Sequence, residues 1–178
     1  KKDLYPIGIM KLLHEVEKKI ILKFFKNLSN LNFLRKLKVQ NNDRSEYFAR
    51  LYSKVNGALD VDQSPKIFER NVRAFSDPYE GGWIELNKKK IFFKKVKIIK
   101  DKDHRFDNKI FNGRIIRKQK NGEVIIIIGG GLIAVKSVFV NGLEIKAFKF
   151  FKLNTCIRNS QKTLDKARNF IPNITKIK

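Results

Sequence analysis

Acidic residues are scarce in this sequence: 17 Asp and Glu stand against 40 Lys and Arg in 178 residues, a formal net charge of +23. That imbalance exceeds what solubility requires and points to a polyanionic partner, with RNA the first to consider. It also fits a chain-wide drift toward Lys, Asn, Ile and Phe, in which much of the charge is solvated surface; composition leaves both readings open. Cysteine is nearly absent. The single Cys156 excludes an intramolecular disulfide framework and a multi-cysteine zinc site, and it fits a reducing compartment, cytoplasmic or organellar matrix. A long apolar run is missing too, because the stretch from Val124 to Val135 is interrupted by Gly129-Gly130-Gly131 and is well short of the roughly 20 residues that span a bilayer. No membrane partner is expected. The chain opens on Lys1-Lys2-Asp3 without an initiating Met or an apolar signal core, so it reads as entered from a longer or processed polypeptide.

What is present is periodic. Leu13, Val16, Ile20, Phe24, Leu28 and Leu31 recur at helical spacing between Ile9 and Leu34, with Lys19, Lys23 and Lys26 on another face, which predicts one long amphipathic helix or a broken pair. A polar loop spans Gln40 to Glu46, and an extended connector runs from Tyr47 to Gln63. Ser64-Pro65 reads as an N-cap followed by proline at the first helical position, opening a short helix through Phe75 that Asp77-Pro78 stops. Its apolar side comprises Ile67, Phe68, Val72 and Phe75.

After Gly82 the period changes. Strand-like runs cover Trp83 to Leu86, Ile91 to Ile99, Arg114 to Lys118, Glu123 to Ile128, Leu132 to Val140 and Leu143 to Ala147, with Asn121-Gly122 and Asn141-Gly142 as two-residue hairpin signals. Short, locally paired strands of this kind suggest a small closed or partly open barrel, and Ser160 to Phe170 suggests a short helix or a frayed basic end. The fold class is therefore α+β: a helical segment over 1–46, a linker and short helix over 47–82, a small OB-like antiparallel β-barrel over 83–155 and a basic tail over 156–178.

A catalytic constellation is not found. His14 lies in the amphipathic helix and His104 in a charged loop, neither beside a nucleophile or a metal-ligand pattern. Asp60 and Asp62 read as a turn ahead of the Ser64 helix. Gly129-Gly130-Gly131 runs into a strand and not the helix that a phosphate-cradling loop requires, so it reads as a hairpin turn. Cys156 reads as a packed or inert thiol. Neither catalytic residues nor metal ligands are assigned.

The basic residues carry more. Lys88, Lys89, Lys90, Lys94, Lys95, Lys97 and Lys100 cluster around the first hairpin, and Arg114, Arg117, Lys118 and Lys120 lie on the next. Brought together they would form one positive face for RNA phosphates, bound without reading sequence. Phe92, Phe93, Phe106 and Phe111 are interspersed; such aromatics stack on unpaired bases or pack in a core.

The segment Asn71-Val72-Arg73-Ala74-Phe75-Ser76-Asp77-Pro78-Tyr79-Glu80-Gly81-Gly82-Trp83 resembles the junction of methionyl-tRNA formyltransferases and related formyltransferases, where an Asn-x-(Ile/Val)-Arg-Ala helix leads through Pro-Tyr-Pro-Gly-Ala into a C-terminal β-barrel. The motif positions are Asn71, Arg73, Ala74, Pro78, Tyr79 and Gly81. Tyr47-Phe48-Ala49-Arg50 is similar to the Tyr-x-x-Arg entry to the family's linker, and Gly57-Ala58-Leu59-Asp60 stands where the family often has Gly-x-Ile-Asp-Trp. Val61, Glu80 and Gly82 depart from the family's Trp, Pro and Ala. The resemblance implies transfer of a formyl group from 10-formyltetrahydrofolate to an amine, either the aminoacyl group of initiator tRNA or an amino sugar. It further implies that the catalytic residues and the folate pocket belong to a Rossmann-like domain preceding Lys1, which the segment 1–46 would close. On that basis the chain is expected to be the tRNA-holding C-terminal region. The alternatives are part of a sugar-nucleotide formyltransferase, or a non-catalytic, formyltransferase-derived RNA-binding component of a ribonucleoprotein.

Overall fold

The structure, a computed structural model, describes residues 5–36, 38, 41, 51–99 and 108–171. The chain divides into two compact units, Lys1–Arg50 and Leu51–Lys178. In the first unit the long periodic run is a broken pair, α1 over Pro6–Lys26 and α2 over Leu31–Arg35. Asn30 makes the break: its side chain accepts from the N–H groups of Asn32 at 3.1 Å and Phe33 at 3.2 Å and so caps α2. Phe33 returns against Phe24, with ring centroids 6.4 Å apart. No residue of α1 is buried, and His14 is an exposed helix residue 3.1 Å from Glu17. The polar segment expected as a loop and the Tyr47–Arg50 motif lie almost wholly outside the described residues, as do His104 and Phe106.

The second unit opens with a short helix, α3 (Ser53–Asn56), and continues through residues 57–63 into α4 (Pro65–Ala74). Ser64 caps α4 by accepting from Ile67 N–H at 3.4 Å, with Pro65 in the first turn as the sequence predicts. Eight strands follow among the described residues: β1 (Gly82–Leu86), β2 (Lys89–Phe93), β3 (Lys97–Ile99), β4 (Ile115–Lys118), β5 (Val124–Ile128), β6 (Gly131–Val135), β7 (Ser137–Val140) and β8 (Leu143–Lys146). Two further helices, α5 (Ala147–Phe150) and α6 (Gln161–Asn169), end the described chain.

The strands form two four-stranded antiparallel sheets, in the orders β1-β2-β7-β8 and β3-β6-β5-β4. The α+β class holds, and the expected barrel takes the form of these two sheets; among the described residues no strand pairing closes them into a ring. Each of the two longest strand-like runs read from the sequence is two strands and not one. Ile91–Ile99 and Leu132–Val140 both bend where the chain leaves one sheet for the other, at residues 94–96 and at Lys136.

Turn chemistry fixes the registers. Asn141 (φ 51°) and Gly142 (φ 80°) form the predicted two-residue turn of the β7–β8 hairpin, and Gly129-Gly130 forms the same kind of turn between β5 and β6. Asn87 and Lys88, both left-handed, form a third between β1 and β2 that the sequence did not advertise. Asn121-Gly122 differs from expectation: only Gly122 has positive φ, and the loop closes through Gln119 N–H to the Glu123 carbonyl at 2.8 Å.

The core lies where α4 and the strap 57–63 meet the inner sheet faces: Leu59, Val61, Phe68 and Val72 pack with Ile84, Ile91, Phe93, Ile126, Ile133 and Val138. Phe68 meets Phe93 edge-on at 6.4 Å, and Phe151 stacks on Phe93 at 6.5 Å. A second apolar cluster, Ile125, Ile127, Leu132 and Ala134, sits on the other face of the second sheet. Burial on both faces explains why β5 reads as five consecutive apolar residues with no alternation.

The strap is held by its own backbone. Leu59 N–H donates to the Trp83 carbonyl at 2.9 Å, Trp83 N–H to Gly57 at 2.7 Å, and Gly129 N–H to Val61 at 2.8 Å. The buried Asn159 seals the first of these contacts: its amide donates to the carbonyls of Leu59 (2.9 Å) and Trp83 (3.0 Å) and accepts from Glu85 N–H (2.9 Å). Replacing Asn159 by Ala orphans the Glu85 N–H and is expected to cost at least about 1–3 kcal/mol. A lowered urea midpoint with an unchanged m-value checks this; an unmoved midpoint would show that water takes the amide's place.

Candidate nucleic-acid interface

The basic residues divide by what they already touch. Lys90 Nζ donates to the Lys54 carbonyl at 2.5 Å and lies 3.8 Å from the centre of the Trp83 ring. Burial strips water from this ammonium and lowers its pKa, against the raising influence of Glu85 and Glu80. Lys94 pairs with Asp77 at 2.6 Å and covers the Phe139 ring at 4.7 Å. Lys118 donates to the Phe148 carbonyl at 2.8 Å and sits over that residue's ring at 4.8 Å. Arg114 lies over Phe111 at 5.4 Å, with its Nε buried and lacking an acceptor. These four cations are committed to internal contacts.

Lys88 and Lys89 at the β1–β2 turn, Lys95 at the sheet crossing, Lys97 on β3, Arg117 on β4 and Lys120 in the β4–β5 loop are exposed and carry no partner among the described residues. Lys100 lies outside the described residues. The two sequence clusters do not fold onto neighbouring strands, since β2 and β3 belong to different sheets and β3 and β4 are opposite edges of the second. The register nevertheless aligns Lys97, Ala134, Ile125 and Arg117 in one row across that sheet, with a cation at each end. Of the aromatics, Phe93 is core, Phe92 is half-buried opposite Trp83, and Phe111 is partly covered by Arg114.

The junction motif is architectural. Asn71 donates to the Gln63 side chain at 2.9 Å, Arg73 pairs with Glu69 at 3.1 Å, and Ala74 ends α4. The peptide before Pro78 is cis, and Tyr79 is exposed. Gly81 has φ 115°, and a Cβ there would stand 2.8 Å from the Phe93 carbonyl. The two aspartates are anchors as well: Asp60 pairs with Arg168 at 2.8 Å, and Asp62 accepts from Asn112 at 2.8 Å with Arg158 3.6 Å away. No group of three or more His, Cys, Asp or Glu able to hold a metal occurs among the described residues. Of the two readings of Cys156, packed or inert, the packed one does not hold, since the residue is exposed.

Residues that sequence reasoning missed include Asn112 and Asn159, both buried, and the lysines Lys136 and Lys146 beside the second sheet crossing. Asparagine in a polar loop gives no periodic signal, so only the fold identifies it. Lys94→Ala, which breaks an ion pair and uncovers Phe139, is expected to destabilise the domain by roughly 0.5–1.5 kcal/mol. Lys95→Ala next to it is expected to leave the thermal midpoint unchanged. Equal midpoints for the two variants would show that the Lys94 contacts carry no stability.

Comparison with known proteins gives a family. No curated protein matches the chain. A family model for the formyl transferase C-terminal domain matches residues 52–154, more than half of the sequence, from the strap's approach through both sheets to just beyond α5. The chain thus belongs to the formyltransferase family and carries its C-terminal domain.

Proposed function

We propose that this domain holds RNA for a formyltransferase that acts on methionyl-tRNA with 10-formyltetrahydrofolate as donor. The observation that carries the reading is the set of exposed, unpartnered cations, Lys88, Lys89, Lys95, Lys97, Arg117 and Lys120, spread over both sheets in a chain of net charge +23. A nucleotide sugar offers a pair of phosphates to a compact pocket. Cations distributed along two sheets suit a long polyanion instead, whose phosphates they neutralise with release of counterions. Contacts of this kind fix position and leave chemistry to other groups.

Ser76, Asn112 and Asn159, the buried polar side chains of the described residues, are hydrogen-bonded to the protein's own backbone or to Asp62. None of these three is free to recognise a pterin, which supports assigning donor binding and catalysis to a separate formyltransferase domain.

Titration of the chain with initiator tRNA over a salt series tests the reading. Tight binding that weakens linearly in log salt is expected, and Lys95→Ala with Lys97→Ala should flatten the slope by about one unit for each phosphate that is no longer neutralised. Absence of salt-dependent tRNA binding overturns it. Displacement of the tRNA by a stoichiometric nucleotide sugar would favour the amino-sugar branch, and tRNA binding by a full-length protein inactive in formyl transfer would favour a ribonucleoprotein role.

A further inference from the structure

A concavity of about 520 Å³ opens where the β4–β5 loop meets the start of β7 and the end of β8, lined by Asn121, Gly122, Lys136, Ser137, Glu144 and Lys146. We infer that this notch is a phosphodiester-binding subsite through which the RNA backbone passes, an inference that rests on the RNA-holding role proposed above. Lys146 and Ser137 are directly opposite across the β7–β8 pair, so their side chains leave the same face of the sheet, and both line the notch. Lys136 occupies the crossing from β6 to β7, and its carbonyl accepts Ala147 N–H at 2.9 Å, which pins this corner to the end of β8. Both lysines are exposed and unpartnered among the described residues, and Ser137 carries no side-chain hydrogen bond there.

The opposite wall is preset and inert. Asn121 donates to the Glu123 carboxylate at 3.0 Å and accepts Glu123 N–H at 3.0 Å, so its amide is oriented by the loop itself. Glu144 is the single carboxylate of the lining, against two lysines. The lining contains no aromatic residue, and the nearby Phe139 ring is covered by Lys94 at 4.7 Å. A base therefore finds neither a stacking platform nor a reader of its edges, while a phosphate finds two ammonium groups and a hydroxyl. An open, net-positive hollow with no aromatic in its lining takes a backbone and not a base.

The notch lies at the opposite end of the first sheet from the Lys88-Lys89 turn, because β2 and β7 run antiparallel with Phe92 opposite Phe139. Substitutions at the two ends can thus be compared. In the full chain, Lys136→Ala with Lys146→Ala is expected to make the log affinity versus log salt slope for tRNA shallower by about 1.8 units, roughly a 30-fold loss at 0.15 M salt. The loss should be the same for single-stranded RNAs of different base composition. Lys136→Arg with Lys146→Arg should keep the slope, which separates charge from folding. An unchanged slope in the Ala double variant, with tRNA still bound by the unmodified chain, overturns the notch and leaves the RNA-holding role standing. A loss confined to one base composition overturns the backbone character of the site. Failure of the unmodified chain to bind tRNA removes both.

Discussion

The backbone of residues 57–63 is the constraint on which the rest of this domain depends. A strap buried between two sheets must satisfy its peptide groups, and it does so by pairing with Trp83 on one side and Gly129 on the other. The pairing dictates the small residues around it. A Cβ on Gly57 would stand 2.5 Å from the Ser53 carbonyl, and one on Gly129 would collide with the Gln63 carbonyl. The polar side chains complete the account, since Asn159 serves the Trp83 side and Asn112 accepts from Gly130 N–H at 3.1 Å on the other. Charges then pin the strap from outside, Asp60 to Arg168 and Asp62 to Arg158. The tail is therefore not an appendage: Ile157 is buried in the core, Asn159 is bonded to the strap, and Leu164 and Ala167 are buried on α6, which packs on α3 with Asn56 donating to the Ala167 carbonyl at 2.9 Å.

Anchoring by the strap explains why the family's junction motif sits where it does. Asn71 reaches back to Gln63 at the strap's end, and Phe68 and Val72 plant α4 on the core. Ser76 then bonds the end of α4 and the Lys94 carbonyl, tying the helix to the first sheet crossing. Gly81 lets the chain pass close to Phe93 before β1 begins. The motif is thus the hinge between helix and sheets, and its residues hold geometry.

A chain with 40 basic residues has cations to spend on structure, and several are spent that way. Lys90, Lys94 and Lys118 each place an ammonium over an aromatic ring while bonding a carbonyl or carboxylate. Their aliphatic stems cover apolar surface at the same time. The cations left exposed are distributed over turns, crossings and sheet edges.

Much of this was readable from the chain alone. The Ser64-Pro65 start of α4, the Asn141-Gly142 turn, the triple-glycine hairpin and the family junction are local: each depends on the φ range or hydrogen-bonding capacity of adjacent residues. The strand-rich second half follows from periodicity in the same way, whereas the apolar period between Ile9 and Leu34 left one long helix and a broken pair equally open until the Asn30 cap decided it. The two strand crossings were not readable, because a run such as Leu132–Val140 is equally apolar whether it stays in one sheet or bends into another. Nor were the roles of Asp60, Asp62, Asn112 and Asn159, whose partners lie as far as 108 residues away in sequence. The positive residues show the division most clearly. Composition determined the excess of positive charge; which lysines remain free of internal partners was decided by tertiary contacts, because an ammonium over a buried ring and one on an open turn look the same in sequence.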